Sequence, residues 1–375
     1  MRIIVTSVGT SLLTRQAEKS EREKLTRYSN LQKGECPVEV ITIIEDLLDK
    51  AVAQLNKNDI AEIRRASAEL NGLIGLNDGR LPLANPQDMH FLIATDTAQG
   101  QATSETIALY LRNTCGCITE VIVPKGLSTK DEEHFSTGIK ELLKWCDETL
   151  EGYRIHGYEI VFNLTGGFKS LQGYLNTIGM FYADRMVYIF ESETSELIEI
   201  PRLPISIDLQ CLEEHATAFT LLDAGKEYRR NDFPNVPASL LDEIDGHVIL
   251  SVWGELIWNK VKDKILGIKL LNFPRIKFDE NFKSDFSHTL KIEDKIKLQE
   301  TLAKIAVQLE RSNGSTDVLK RDGGIQYENM KNRTHDGLPI GHFRITHALR
   351  ASCIAVHGGL TMRHYGAHDY VNNNP

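Results

Sequence analysis

From Arg333 to Tyr370 the chain reads R-T-H-D-G-L-P-I-G-H-F-R-I-T-H-A-L-R-A-S-C-I-A-V-H-G-G-L-T-M-R-H-Y-G-A-H-D-Y, and six of its twelve histidines lie between His335 and His368. Imidazoles at this density suit either a metal or acid–base chemistry. No pair has the H-E-x-x-H or H-x-H spacing of a zinc site. Most of these histidines stand beside arginine rather than carboxylate, and such a cluster repels a cation and attracts phosphate. No metal is expected. RNA cleavage by transesterification fits better. It needs a base for the ribose 2′-hydroxyl, a cation for the charged phosphorane and an acid for the leaving 5′-oxygen. Histidine supplies the first and last near neutral pH, and the planar arginine fork holds the phosphate. On one strand His342, Arg344 and Thr346 would share a face and Phe343, Ile345 and His347 the other. They act together only if the strand ends in a turn near His347.

Three glycine-bearing loops could do different chemistry. Ser7-Val8-Gly9-Thr10-Ser11 follows an apolar run, and Asn163-Leu164-Thr165-Gly166-Gly167-Phe168-Lys169-Ser170 joins a strand to a helix. Glycine admits close backbone approach, a helix start offers unpaired N–H groups, and Lys169 adds charge, so together they suit phosphate. Neither loop matches the Walker or G-x-G-x-x-G pattern, so an ATPase or dinucleotide dehydrogenase is not supported. Asp96-Thr97-Ala98-Gln99-Gly100-Gln101 is expected at the same sheet end, where Asp96 and Gln99 could close over a ligand.

These residues need elements to place them. Apolar runs at 2–8, 90–95, 118–123, 158–164, 186–190 and 197–200 read as strands. Helical periodicity covers 38–57 with 59–71 continuing it, 102–113, 130–151 and a stretch up to about 183. Alternation of this kind predicts a parallel, doubly wound α/β sheet, with ligands beyond the carboxyl ends of its strands. Pro201 and Pro204 mark a boundary. Residues 206–273 read as mostly helical, a connector with a winged-helix-like option and a polar break at Arg229–Pro237. From 274 a strand (275–278), two helices (279–290 and 293–311) and β-like runs at 339–347, 351–357 and 360–366 predict a small α+β domain.

Length and charge bound the whole. The 375 residues suggest two or three domains, and a hydrophobic fraction of 41% rules out global disorder. The net charge is −9, which disfavours non-specific wrapping of duplex DNA. Residues 1–274 carry 28 Lys and Arg against 40 Asp and Glu, a net of −12, and residues 275–375 carry 15 against 12, a net of +3. Two modules with different tasks are implied. The six cysteines, with only Cys115 and Cys117 close together, read as reduced thiols. The opening MRIIVTSVGTSLL lacks a signal-peptide layout and no apolar run suffices for a membrane span, so a cytoplasmic protein without membrane contact is expected.

Val8-Gly9-Thr10-Ser11 after the first strand, with Asn163-Leu164-Thr165-Gly166-Gly167-Phe168-Lys169 after a later one, resembles the CARF domain. This is the Rossmann-like sensor of CRISPR-associated ancillary proteins, and the resemblance covers 1–205. It implies a homodimer that binds a cyclic oligoadenylate, most often cyclic tetra-adenylate, across its two-fold axis. Gly9, Thr10, Ser11, Asp96, Gln99, Asn163, Thr165, Gly166, Gly167 and Lys169 would line the site. A two-fold ring of phosphates suits two copies of one positively polarised helix end. Residues 274–375 are similar to the RelE superfamily of toxin ribonucleases, carried by the Phe343-Arg344-Ile345 strand, Arg350 and the final Tyr365-Gly366-Ala367-His368-Asp369-Tyr370. By resemblance to the YafQ-like branch, His335, His347 and His368 are catalytic, with Tyr370 the trailing aromatic and Arg344 and Arg350 the basic positions. The lysine pair of RelE itself is replaced by Arg344 and Thr346.

The combined reading is a cyclic-oligoadenylate-activated, ribosome-dependent and metal-independent mRNA endoribonuclease of type III CRISPR defence, with no cofactor beyond its activator. The modest +3 of the tail fits a ribosome that presents the RNA, because free single strands usually require a stronger basic groove. Two alternatives stand beside it. One is a ring nuclease that cleaves its own ligand through Thr10, Ser11 or Lys169. The other is a ligand-controlled DNA-binding regulator, against which the connector's weak basic content argues. Arg350 and His357 have HEPN-nuclease spacing, but Ala351–Gly359 reads as a strand entering a turn rather than a helix.

Overall fold

The computed structural model describes residues 1–81, 87–189, 196–233, 235–289 and 291–375. Phe190, Pro234 and Leu290, the ends or interior of segments expected above, lie outside the described residues. The chain divides into two compact units, Met1–Ile205 and Ser206–Pro375.

In the first unit Ile3, Ile4 and Val5 of β1 (Arg2–Ser7) are all buried. Burial on both faces is what a central parallel strand requires. Five helices follow: α1 (Ser11–Thr14), α2 (Lys19–Arg27), α3 (Val38–Leu55), α4 (Ile60–Ala66) and α5 (Ala68–Leu76). The expected single helix over 59–71 is broken at Ser67, which adopts extended φ/ψ and accepts a bond from the Leu70 N–H as the cap of α5. Then come β2 (Met89–Ile93), α6 (Ala98–Cys115), β3 (Ile118–Ile122), α7 (Glu132–Ile155), β4 (Glu159–Asn163), α8 (Lys169–Tyr182), β5 (Arg185–Ile189) and β6 (Leu197–Pro201). Thr97 caps the start of α6, and Gly116, at φ 68°, ends it in the left-handed conformation.

The strand order is β3-β2-β1-β4-β5-β6. All neighbours are parallel except β5 and β6, which form an antiparallel edge. This parallel-rich, mixed α/β layout is compatible with a Rossmann-like domain. The order reverses at β1, so the crevice outside β1 and β4 is the topological switch point where such sheets bind ligands.

The second unit starts with α9 (Gln210–Glu214), α10 (Ala216–Asp223), β7 (Leu241–Ile244), β8 (His247–Leu250) and α11 (Val252–Leu266). The β7–β8 hairpin falls where helix was expected. Asp245 and Gly246, both at positive φ, make the tight turn that closes it. Next are β9 (Ile276–Phe278), α12 (Glu280–His288), α13 (Ile292–Arg311), α14 (Asp317–Arg321), β10 (Glu328–His335), β11 (Leu338–Arg344), β12 (Leu349–Val356), β13 (Gly359–Ala367) and α15 (His368–Asn373). The sheet order is β10-β11-β12-β13-β9, antiparallel except for the β13–β9 pair. Phe219 and Trp258, from the segment expected as a connector, are fully buried in the same core cluster as Leu302, Phe343 and Tyr365. Residues 206–273 therefore share their hydrophobic core with 274–375.

Candidate functional site

At the switch point of the first unit the loops after β1 and β4 touch. A Cβ on Gly9 would lie 2.9 Å from the Gly167 nitrogen, so only glycine lets the two backbones approach this closely. Gly167 itself has φ +107°, a conformation that L side chains rarely adopt. Beneath the loops sits Glu69 of α5, which is fully buried. It accepts bonds from the Gly9 N–H at 2.8 Å, Ser11 Oγ at 2.6 Å and Ser67 Oγ at 2.7 Å. A Cβ on Gly166 would collide with its Oε1 at 2.2 Å. Asn163 Nδ2 donates to the Glu69 carbonyl at 3.0 Å, and Thr165 Oγ1 donates to Asn163 Oδ1 at 2.8 Å.

The structure thus brings Gly9, Thr10, Ser11, Asn163, Thr165, Gly166 and Gly167 together, but turns part of the set inward. The Gly9 N–H and the Ser11 hydroxyl, expected to meet a phosphate, are engaged by Glu69. Asn163 and Thr165 bond to each other, and Asn163 also bonds to α5. Thr10 and Gly167 are half-buried, and Lys169 is exposed at the start of α8. Ser11 and Thr165 are half-buried as well, so Lys169 is the one fully exposed member of the expected set.

The third loop follows β2 at the same sheet end, as expected, but its candidate residues are engaged by other partners. Gln99 is buried and its Nε2 donates to the Leu25 carbonyl at 2.7 Å. Asp96 accepts from Gln32 Nε2, Gln101 Nε2 and the Gly126 N–H at 2.9, 3.0 and 3.0 Å. It lines a separate polar cavity of about 150 Å³ with Glu35, Lys130 and His134.

In the second unit the core side of the sheet is apolar and the other side carries charge. Register places Arg344 directly opposite Arg350, His342 opposite Ser352, and Ser352 opposite His364. Residues opposite one another share a face, so Glu328, His342, Arg344, Arg350, His364 and the fully buried Ser352 form one polar face, on which Glu328 Oε1 lies 3.0 Å from His342 Nε2. Phe343, Ala351 and Tyr365 fill the core behind it. Among the described residues Arg344 Nε is buried without a hydrogen-bond partner. Arg350 donates to the Thr346 and Leu349 carbonyls at 2.8 and 3.0 Å. Its pKa is lowered, first by burial and then by Arg344.

β11 ends at Arg344, and residues 345–348 turn the chain, so His347 leaves the strand and is exposed. The His368 N–H donates to the Ala348 carbonyl at 3.0 Å, which sets the start of α15 beside that turn. Arg344, His347, Arg350 and His368 therefore gather at one end of the sheet. His335 does not join them. It pairs with Leu338 across the β10–β11 hairpin, at the far end of β11 from Arg344, about 20 Å away at the usual rise of a strand. Arg350 and His357 are on and just after β12, not on a helix.

Tyr370 was expected as a trailing aromatic, and α15 lays it back across β13. A Cβ on Gly366 would lie 3.0 Å from the Tyr370 ring, so the missing side chain makes its seat. Its Oη donates to Asp285 Oδ1 at 2.9 Å, and Asp285 Oδ2 lies 3.0 Å from His364 Nδ1. Neither Asp285 nor His364 was singled out in the sequence. They are 79 positions apart, on α12 and β13, and no local spacing links them.

Residues 64–203 match the family described as CRISPR-associated protein (Cas_APE2256). The match supports a CRISPR-associated protein. It spans α5, with Glu69, through β6, including the Asn163–Lys169 loop. It does not reach the second unit. Among the described residues no group of three or more His, Cys, Asp or Glu is placed to hold a metal ion. No described helix is long and apolar enough to cross a membrane.

Proposed function

We propose that this CRISPR-associated protein is a ribonuclease switched on by a cyclic oligoadenylate, most often cyclic tetra-adenylate, in type III antiviral defence. In this reading the first unit is a CARF sensor that pairs with a second copy. The switch-point loops of the two copies then meet a two-fold ring of phosphates. The second unit is a RelE-like endoribonuclease that cuts mRNA on the ribosome without metal and leaves a 2′,3′-cyclic phosphate or 3′-phosphate.

The observation that carries the reading is the polar sheet face. Two arginines stand directly opposite each other among histidines, with the core packed behind. Like charges opposed on neighbouring strands cost stability unless an anion bridges them, and a phosphodiester is such an anion. The histidines supply proton transfer at the same surface. The net +3 of residues 275–375 is small for unaided capture of free RNA, which favours presentation by a ribosome.

The test is a translation reaction with the full chain and added cyclic tetra-adenylate. Ligand-dependent mRNA cuts confined to ribosome-engaged codons are expected. Equal cutting of naked RNA would remove the ribosome from the reading. Loss of the cyclic ligand itself, with mRNA left intact, would replace it with a ring nuclease.

A further inference from the structure

His364 has no role in the resemblance drawn above, yet it is the histidine best built for proton transfer. We propose that His364 is the general base of the phosphodiester-cleaving face and that Asp285 is its positioning residue. This rests on the ribonuclease reading of the second unit.

A carboxylate can only accept, so the bond from His364 to Asp285 puts the ring proton on Nδ1 and leaves the lone pair on Nε2. The other bonds of His364 use its backbone N–H and Nδ1, and none among the described residues occupies Nε2. Asp285 is itself fixed. It accepts from the Tyr365 N–H at 3.0 Å and from Tyr370 Oη at 2.9 Å. Burial and the bond to Asp285 raise the Tyr370 pKa, so the phenol stays a donor. The side chains of His364 and Asp285 are 14% and 15% exposed. The competing pair, His368 with Asp369, is 50% and 94% exposed. Water screens the second pair far more than the first.

Position agrees with chemistry. Ser352 lies opposite His364 on the neighbouring strand, and Arg350 is two residues along from Ser352 on the same face. That diagonal spacing is about 7–8 Å between strand positions, which a long arginine and an imidazole can close on one phosphodiester. Nε2 would take the proton of a ribose 2′-hydroxyl as that oxygen attacks the adjacent phosphorus. The P–O2′ bond forms and the P–O5′ bond breaks. The 5′-oxygen takes a proton from solvent, and the imidazolium later returns its own. The products are a 2′,3′-cyclic phosphate and a 5′-hydroxyl, with Arg344 and Arg350 facing the charge that builds on phosphorus.

The test uses the full chain with ribosomes, mRNA and cyclic tetra-adenylate. His364→Ala is expected to slow cutting about 100-fold or more, the usual scale of general-base loss. Imidazole added to the buffer should restore part of that rate, which repair of a merely structural defect would not do. Asp285→Asn should slow cutting about tenfold, with Asp285→Glu in between. Melting temperatures, and His364→Gln as a second variant, separate lost chemistry from lost fold. Wild-type rates in both His364 variants would overturn the assignment and leave the ribonuclease reading standing. So would a loss that imidazole cannot restore in a variant of unchanged melting temperature. A wild-type protein that cuts no RNA would overturn the ribonuclease reading, and the base with it.

Discussion

At the scale of single residues, Glu69 couples two loops that are far apart in sequence. Removing its carboxylate in Glu69→Ala strands the Gly9 N–H and two serine hydroxyls in a buried site. At the usual cost of orphaned donors the change should destabilise the first unit by about 3 kcal/mol, read as a lower urea midpoint, with Glu69→Gln losing less. His90 gives a pH signature. Burial, its largest cause, lowers its pKa from 6.5 to about 4, outweighing the attraction of Asp88. The unfolded chain therefore binds the proton first as pH falls, so the stability His90 contributes is complete above about pH 6.5 and is lost on the way to pH 4. The loss should be on the order of 3 kcal/mol, and His90→Leu should flatten that part of a stability-against-pH curve. Neither residue was legible as important in the sequence. A lone glutamate in an apolar helix and a lone histidine in a strand carry no spacing signal, because their partners are set by tertiary packing. The loops that Glu69 holds were legible, since glycines after apolar runs mark turns at strand ends.

At the scale of elements, the apolar runs of β1, β2 and β4 were readable because central strands are buried on both faces. β10 was not, because Glu-Asn-Met-Lys-Asn-Arg-Thr-His is almost wholly exposed and edge strands lack an apolar face. A signal did exist. Asp336-Gly337 is a hairpin dipeptide, and both residues have positive φ, so a strand had to precede it. The same hairpin carries His335 away from the arginines, which a resemblance by sequence order does not reveal. α12 matters because it holds Asp285. Asp279 caps it by accepting from the Phe282 N–H at 2.8 Å. Asp279→Ala should cost about 1 kcal/mol. Amide exchange across α12 should speed up accordingly, with β10–β12 unchanged.

At the scale of the molecule, the boundary at 205 was legible from Pro201 and Pro204, and the sharing of one core across 273 was not. Periodicity reports that a helix has an apolar face but not which partner covers it. Phe219, Trp258 and Leu222 belong to the core that also contains Phe343. A fragment starting at residue 274 should therefore aggregate, whereas one starting at 206 should give a cooperative melt and a single size-exclusion peak. The opposed Arg344 and Arg350 carry a further consequence for this second unit. Two cations are held side by side, one with an Nε that is buried and without a partner among the described residues, and the Glu328 carboxylate offsets only part of their repulsion, so the empty surface stays electrostatically frustrated. The unoccupied form is then the less comfortable one, and any phosphate-like solute acts as a keystone. Millimolar sulfate should raise the melting temperature of the 206–375 fragment by mass action, and Arg350→Gln should show a smaller rise.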